Sequence, residues 1–196
     1  MDREARRAQT RARLLDAAAE VFARLGFHAA TVDDVAAAAG YTKGAVYSNF
    51  AGKDALFLAL LDRHLDAQFA QMERLFAIEA TDDLLGAVEH ESAQAAQTGT
   101  AFGLLTMEFW LYAMRDATAK AALAERYARM RGRLAELIAE RHAARGVVPP
   151  QPPADVAALV LALDAGLFLQ HLADPDALPP QLRADAIVDL VDPHGR

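Results

Sequence analysis

Two lysines, Lys43 and Lys53, stand where helices are expected to begin, which is an unfavourable place for a cation. Lys43 follows Thr42, a good N-cap residue, and Lys53 follows Gly52. The N-terminus of a helix already carries about half a positive charge. Free backbone N–H groups, the helix dipole and a lysine together form a site that suits a phosphate. We therefore predict phosphate contacts for Lys43 and Lys53, and the alternative is that both are solvated surface lysines.

Three helices, of which the second and third are short, are expected around these lysines. Apolar residues at helical spacing predict a first helix that ends at Gly26, and Thr31 with Asp34 fits the capping box that begins a second helix. The second helix ends at Gly40, and a third helix of about seven residues spans 43–49. Two helices joined by a tight glycine-containing turn are typical of a helix-turn-helix.

The rest of the chain is also expected to be helical, because alanine, leucine, arginine and glutamate dominate its composition. A long helix from Gly52 to about Ala77 is followed by helices at about 82–98, 101–115, 117–145, 154–172 and 180–191. We predict an all-α fold with two domains. Residues 1–54 form a three-helix helix-turn-helix DNA-binding domain, and residues 55–196 form a second, helical domain.

Charge and cysteine content narrow the class of protein. Residues 1–54 hold 8 basic and 7 acidic side chains, a net charge of +1, and the other residues hold 12 and 20, a net charge of -8, so the acidity of the chain lies in the second part. Five arginines within the first 13 residues form a basic arm that is either disordered or reaches DNA. The absence of cysteine excludes disulfides and thiolate metal sites. No secretory signal is evident at the N-terminus, so a cytoplasmic location is expected.

The stretch TVDDVAAAAGYTKGAVYSNFAGKDALF resembles the DNA-binding segment of the tetracycline-repressor (TetR) family of bacterial transcriptional regulators. The matching positions, in order and spacing, are Thr31, Ala39, Gly40, Gly44, Tyr47, Phe50 and Lys53. The chain departs from the family pattern at Tyr41-Thr42, where Val-Ser is commoner, and at Ser48-Asn49, before the Phe. The resemblance implies a homodimeric, ligand-responsive regulator, most often a repressor, that binds a palindromic operator in double-stranded DNA. It also implies that residues 55–196 are the helical ligand-binding and dimerisation domain.

Nine residues are candidates for DNA contact: Thr31, Thr42, Lys43, Gly44, Ala45, Tyr47, Ser48, Asn49 and Lys53. The two threonines are N-caps first and phosphate ligands second. Tyr47 contacts a phosphate or packs in the core, and Gly44 permits close approach to DNA or to the second helix. Ala45 suits a thymine methyl group, and Ser48 or Asn49 reaches a base edge unless Asn49 caps the helix instead.

Eight residues of the second part are candidates for effector contact: Phe69, Met72, Phe76, Phe102, Met107, Glu108, Trp110 and Tyr127. For each apolar one the default role is core packing, and the family resemblance implies that a subset lines a cavity for a small apolar or aromatic effector. Glu108 is a lone carboxylate on an apolar helix, so it either pairs with Arg115 or faces the effector. No cofactor or metal is expected.

The helices at 154–172 and 180–191 are predicted to form the homodimer interface. The first is apolar on every face, yet Asp164 near its middle argues against a membrane span. An alternative is an all-helical small-molecule carrier or enzyme without DNA binding, although no catalytic motif is present and we expect no enzyme. An architectural DNA protein is disfavoured by the acidic second part.

Overall fold

The computed structural model describes residues 2–80, 83–90, 100–146, 148, 150–179 and 181–192. Within these residues the chain is helical, with no strand, which confirms the all-α prediction. The helices are α1 (Arg3–Ala29), α2 (Val32–Ala39), α3 (Lys43–Tyr47), α4 (Lys53–Phe76), α5 (83–90), α6 (Thr100–Ala113), α7 (Ala117–Arg145), α8 (Pro153–Ala173) and α9 (Leu182–Val191).

The bounds of the described helices agree with the predicted ones to within a few residues. The start of α1 and the end of α3 differ from the prediction. Residues 82 and 91–98 of the helix predicted at 82–98, and residue 180 of the last one, lie outside the described residues. The N-terminal arm is helical from Arg3, so its arginines lie on α1. The third helix ends at Tyr47 rather than Asn49.

The chain packs as two compact units that do not coincide with the predicted domains 1–54 and 55–196. Unit 1 contains Met1–Asp66 and Ala101–Glu125, and unit 2 contains Ala67–Thr100 and Arg126–Arg196. The difference arises because α6 packs with α1 and α4: the ring of Phe109 stacks on Phe57 with centroids 4.1 Å apart. Both rings are fully buried.

Local capping explains where the second and third helices begin. The Thr31 side chain accepts a hydrogen bond from Asp34 N–H at 3.1 Å, and Asp34 Oδ2 accepts from Thr31 N–H at 2.9 Å, so the predicted capping box is confirmed. Gly40 ends α2 in the left-handed region with φ 70°. Thr42 caps α3 by accepting from Ala45 N–H at 3.2 Å.

The core of unit 1 fixes the helix-turn-helix. The buried stripe of α1 comprises Leu14, Leu15, Ala17, Ala18, Val21, Phe22 and Phe27. Val46 of α3 is fully buried and Phe50 is nearly so, as predicted from the sequence. Because α3 is too short to be stable alone, these two contacts and the Thr42 cap hold it in place.

Unit 2 has an apolar core and a buried ion-pair cluster at one end. The core residues come from α5, α7, α8 and α9 and include Leu84, Leu134, Ile138, Val160 and Val188. Asp192 Oδ2 lies 3.0 Å from Arg141 Nη2 and 3.0 Å from Arg145 Nη1, and its side chain is 1% exposed. Arg141 also donates to the carbonyl of Ile78 at 2.7 Å.

Neutralising Asp192 is expected to destabilise unit 2, because it leaves the buried Arg141 guanidinium without its anion. We expect Asp192→Ala to lower the free energy of unfolding by about 3–5 kcal/mol, measured by chemical denaturation. Asp155→Asn, which removes an exposed carboxylate from the first turn of α8, is the control and should lower stability by less than about 1 kcal/mol. A loss below about 1 kcal/mol for Asp192→Ala would show that the cluster is solvated.

Candidate nucleic-acid interface

The third helix presents most of the predicted DNA contacts to solvent. Lys43, Gly44, Tyr47 and Ser48 are exposed, and Ala45 and Asn49 are half-buried. Val46 on the opposite side is buried, so the helix has one face on the core and one face outward. An exposed helix face carrying a cation, an aromatic hydroxyl and small polar groups can contact phosphates and base edges.

Lys43 is held by Asp33 of α2. Its Nζ lies 2.9 Å from Asp33 Oδ2, and the two side chains are 57% and 62% exposed. The hydrogen bond to this carboxylate raises the pKa of Lys43 above its usual range. The sequence predicted that a DNA phosphate would balance the positive charge at the start of α3. In this structure the carboxylate of Asp33 does so. Sequence reasoning missed Asp33 as a partner.

Lys53 has a different environment, made of backbone carbonyls. Its Nζ donates to the carbonyl of Phe27 at 2.8 Å and to that of His28 at 3.2 Å. The ammonium also lies 4.6 Å from the centroid of the Phe27 ring. Lys53 thus joins the start of α4 to the end of α1, a structural role that the sequence did not reveal.

Ser48 and Asn49, the predicted base readers, are both turned back onto α3. Ser48 Oγ donates to the Ala45 carbonyl at 2.8 Å, and Asn49 Nδ2 donates to the same oxygen at 2.8 Å. This is the capping alternative that the sequence left open for Asn49. A base contact by either side chain requires it to leave the Ala45 carbonyl.

Arg11 of the basic arm reaches the end of α3. Its Nη1 donates to the Asn49 carbonyl at 3.0 Å, and its guanidinium carbon lies 4.2 Å from the centroid of the Phe50 ring. A cation at a helix C-terminus is favourable. The cluster of arginines was the sequence signal for this region, but it could not single out Arg11.

Two alternatives for the third helix are decided by packing. Tyr47 is 51% exposed, so core packing is not its role. A Cβ built on Gly44 would meet only Thr42 Oγ1, at 3.8 Å, so Gly44 does not serve close packing against α2. The alternative of close backbone approach to DNA remains for Gly44. Thr31 and Thr42 act as the predicted N-caps.

The predicted effector residues divide evenly between the two units. Unit 2 holds Phe69, Met72, Phe76 and Tyr127. Phe69 is buried beneath the guanidinium of Arg133, whose carbon lies 4.0 Å from the ring centroid. Met72 and Phe76 pack against the apolar core of unit 2. These three residues therefore make the packing contacts that are the default for apolar side chains.

Unit 1 holds Phe102, Met107, Glu108 and Trp110, all on α6. Glu108 Oε2 accepts a hydrogen bond from Phe27 N–H at 2.6 Å. The predicted alternative of an ion pair between Glu108 and Arg115 is therefore wrong, since the partner found is a backbone amide of α1. Phe102 lies against the His64 ring with centroids 4.0 Å apart, and Trp110 is 41% exposed.

An open depression in unit 2 has a different lining from the one expected for an effector. Its volume is about 290 Å³, and it is lined by Glu73, Arg133, Glu136, Leu137 and Glu140. None of the predicted effector residues lines it. Glu73 and Arg133 form an ion pair across it at 3.1 Å. No group of three potential metal ligands occurs among the described residues.

The fold and the exposed third helix define the class: an all-helical protein with a helix-turn-helix near its N-terminus. Two family models match the chain. "Bacterial regulatory proteins, tetR family" matches residues 14–60, and "BetI-type transcriptional repressor, C-terminal" matches residues 81–193, more than half of the chain. The chain belongs to the TetR family of bacterial regulatory proteins. This family is one of regulators, which agrees with the expectation that the chain is not an enzyme.

Individual relatives match mainly in the DNA-binding region. The transcriptional activator FasR of Mycolicibacterium smegmatis is 47% identical over 60 residues, which is 31% of this chain and 27% of that protein. Matches to several further curated relatives span between 25% and 52% of their lengths. The repressor Rv1474c of Mycobacterium tuberculosis is 29% identical over 187 residues, covering 94% of this chain and 92% of that protein.

Solved structures resemble the whole chain at low sequence identity. The regulator FadR of Bacillus subtilis, in complex with stearoyl-CoA, has a TM-score of 0.70 and 16% identity and covers 94% of this chain and 98% of its own. A regulator from Saccharomonospora viridis in complex with choline has a TM-score of 0.69 and 21% identity, covering 94% and 96%. These likenesses show the fold.

Gly44→Ala separates folding from DNA contact. Because the added methyl group meets only a distant hydroxyl, we expect the free energy of unfolding to stay equal or to rise by up to about 1 kcal/mol from the better helix propensity. If the backbone at Gly44 approaches DNA closely, the same change should weaken DNA binding at least about tenfold, or 1.4 kcal/mol. Thermal unfolding and fluorescence anisotropy with duplex DNA measure the two effects. Unchanged DNA affinity would show that no close approach occurs.

Proposed function

We propose that the protein is a transcriptional repressor that binds a palindromic operator as a homodimer and responds to a small apolar or aromatic effector. The observation that carries DNA binding is α3, a capped helix whose outward face bears Lys43, Tyr47 and Ser48 within the segment matched by the TetR family model. Residues 1–54 are the proposed DNA-binding part, and residues 55–196 are the proposed effector and dimer part.

The contacts fall into two kinds. Lys43, Lys53 and Tyr47, with the capping hydroxyls of Thr31 and Thr42, are proposed to contact phosphates, which fix the protein on the duplex. Ala45, Ser48 and Asn49 are proposed to contact base edges, with Gly44 allowing close approach. Lys53 has three N–H groups and uses two on carbonyls, so one is available to a phosphate without loss of the others.

The homodimer is proposed to form through α8 and α9. The inner side of α8 buries Val156, Ala157 and Val160, whereas its exposed residues are mostly apolar: Ala158, Leu159, Ala162, Ala165 and Leu169. Small residues let a partner helix approach closely, and two α8–α9 pairs related by a two-fold axis would form a four-helix bundle.

A membrane span is the competing explanation for α8. This helix is long and apolar enough to cross a membrane, with a mean hydropathy of 1.8, and 22% of its most apolar window is buried. Asp164 near its centre pairs with Arg183 of α9 at 2.6 Å. An ion pair on that helix is costly in lipid, so we propose a subunit interface and a cytoplasmic protein.

The effector is proposed to contact a subset of the eight candidate residues. Neighbouring folds bind stearoyl-CoA and choline, so both a long acyl chain and a small organic cation fit the fold. Phe102, Met107 and Trp110 are not fully buried and are the apolar candidates in unit 1. Glu108 is the proposed partner of a cationic group, through the carboxylate oxygen that Phe27 does not use.

DNA binding should depend on the lysines in a sequence-independent way. We expect Lys43→Ala and Lys53→Ala to weaken binding to a selected operator and to scrambled DNA alike, and to lower the salt slope by about 1 per contact and half-site. Ser48→Ala and Asn49→Ala should instead change base preference by about 1–3 kcal/mol at one position of each half-site.

Lys120→Ala is the matched control, since Lys120 is the third lysine of the chain and is exposed on α7. Because Lys53 has structural contacts, its variant needs a parallel thermal unfolding measurement. Binding to no duplex at low salt would favour the helical carrier instead of the repressor. Unchanged affinity and slope in both lysine variants would remove them from the phosphate contacts.

Dimer formation should be lost on charging the exposed side of α8. Leu159 and Leu169 are 44% and 51% exposed, so replacing both by Glu should leave each protomer folded. We expect sedimentation velocity to show monomers, because four buried carboxylates would face each other in the bundle. The double variant Leu104→Glu and Leu111→Glu, on the exposed side of α6, is the control. An unaltered dimer in the Leu159 and Leu169 variant would locate the interface elsewhere.

Effector binding should change the fluorescence of Trp110, the only tryptophan. Stearoyl-CoA and choline are the two probes. Glu108→Gln keeps a carbonyl oxygen for Phe27 N–H but removes the charge, so it should weaken binding of choline by about tenfold or more and leave stearoyl-CoA unaffected. Equal choline affinity in the variant would exclude Glu108 from the site. No fluorescence change with any ligand that isothermal calorimetry shows to bind would exclude Trp110.

A further inference from the structure

Asp33 has no role in the contacts described so far except to hold Lys43. The start of α2 is already served by the capping box, which uses Asp34 and not Asp33. Asp33 Oδ2 instead accepts from Lys43 Nζ at 2.9 Å, and the carboxylate is exposed. The ion pair therefore connects the first turn of α2 to the first residue of α3, across the turn of the helix-turn-helix.

This position puts a carboxylate where phosphate is expected to bind. A phosphate that approaches Lys43 must either displace Asp33 or remain next to it, and the second arrangement places two anions side by side. We propose that Asp33 competes with DNA phosphates for Lys43 and thereby lowers the affinity of the protein for DNA of every sequence. The proposal rests on the DNA-binding function proposed above and assigns Asp33 as the residue that limits it.

The size of the effect follows from the exposure of the pair. Exposed ion pairs change an equilibrium by about one and a half to fivefold, and each DNA-binding region of a dimer contributes one such factor. Since a phosphate carries no sequence information, the competition acts on specific and non-specific DNA equally. The effect also requires Lys43, because Lys43 is the cation with which Asp33 forms its ion pair.

The test is Asp33→Asn, alone and combined with Lys43→Ala, measured by fluorescence anisotropy. The probes are a short duplex of random sequence and an operator selected from such a pool. We expect Asp33→Asn to raise affinity for both by about two- to fivefold per DNA-binding region, and to steepen the salt slope by up to about 1 per region. In the Lys43→Ala background the gain should largely disappear.

Two further variants control for net charge and for folding. Glu20→Gln makes the same charge change on α1, and Glu20 is exposed and lies midway between the buried residues Ala18 and Phe22, facing away from the core. It should leave DNA affinity almost unchanged. Asp33→Glu keeps the charge and should retain the low affinity of the native chain. Circular dichroism on each variant verifies that α2 and α3 are formed.

Several outcomes would overturn the proposal. An equal gain from Glu20→Gln, or from Asp33→Asn in the Lys43→Ala background, would mean that only net charge matters. A loss of affinity confined to the operator would make Asp33 a base contact, since a carboxylate accepts from the cytosine amino group. A native chain that binds DNA while Asp33→Asn binds equally well overturns this inference alone. Absence of binding to every duplex by all variants overturns the proposed function as well.

Discussion

The packing of unit 1 depends on the hydrogen bonds made by the backbone groups beside Gly26, where α1 is broken. Gly26 has φ 75° and ψ 169° inside an otherwise helical segment, so the backbone groups beside it need partners outside their own helix. Glu108 of α6 takes the N–H of Phe27, and Lys53 of α4 takes its carbonyl. A Cβ on Gly26 would lie 2.8 Å from both Glu108 oxygens, so glycine is required by space as well as by φ. One peptide segment thus joins parts of the chain that are far apart in sequence.

The same segment explains why the two lysines of the helix-turn-helix are not equivalent. Lys53 is held by backbone carbonyls, which carry only partial negative charge, and by the Phe27 ring. Lys43 is held by a carboxylate, whose full negative charge repels an approaching phosphate more strongly. At both helix starts, a neighbouring negative group therefore balances the excess positive charge. At α3 it is an anion supplied by α2, and at α4 it is the partial negative charge at the end of α1. The N-terminal cation that looked unfavourable in sequence is, for Lys53, part of the fold.

The features that could be predicted from the sequence are those set by residues close together in the chain, such as the ends of α2. Thr31 and Asp34 are three residues apart, and Gly40 follows directly on α2, so propensity and capping rules were enough to place both ends of that helix. Glu108 shows the opposite case. Its position as a lone carboxylate on an apolar helix implied a partner, but the partner is a backbone amide 81 residues earlier at a helix break, and no residue type identifies such a group. The partner that the sequence suggested, Arg115, is instead the cation nearest to Glu108 along the chain. Asp192 and Arg141, 51 residues apart, were missed for the same reason.

The sequence also could not predict which side of α8 faces the core, for a different physical reason. Hydrophobic periodicity identifies the buried side of a helix only when the other side is polar, and α8 is apolar all round. Packing resolves the ambiguity: Val156, Ala157 and Val160 face the core of unit 2, and the exposed alanines and leucines lie opposite. Ala158, Ala162, Ala165 and Leu169 are spaced four, three and four residues apart, which is the spacing of a helix seam in a bundle. The core of the protomer does not use this seam, and its spacing supports the dimer interface proposed for α8 and α9.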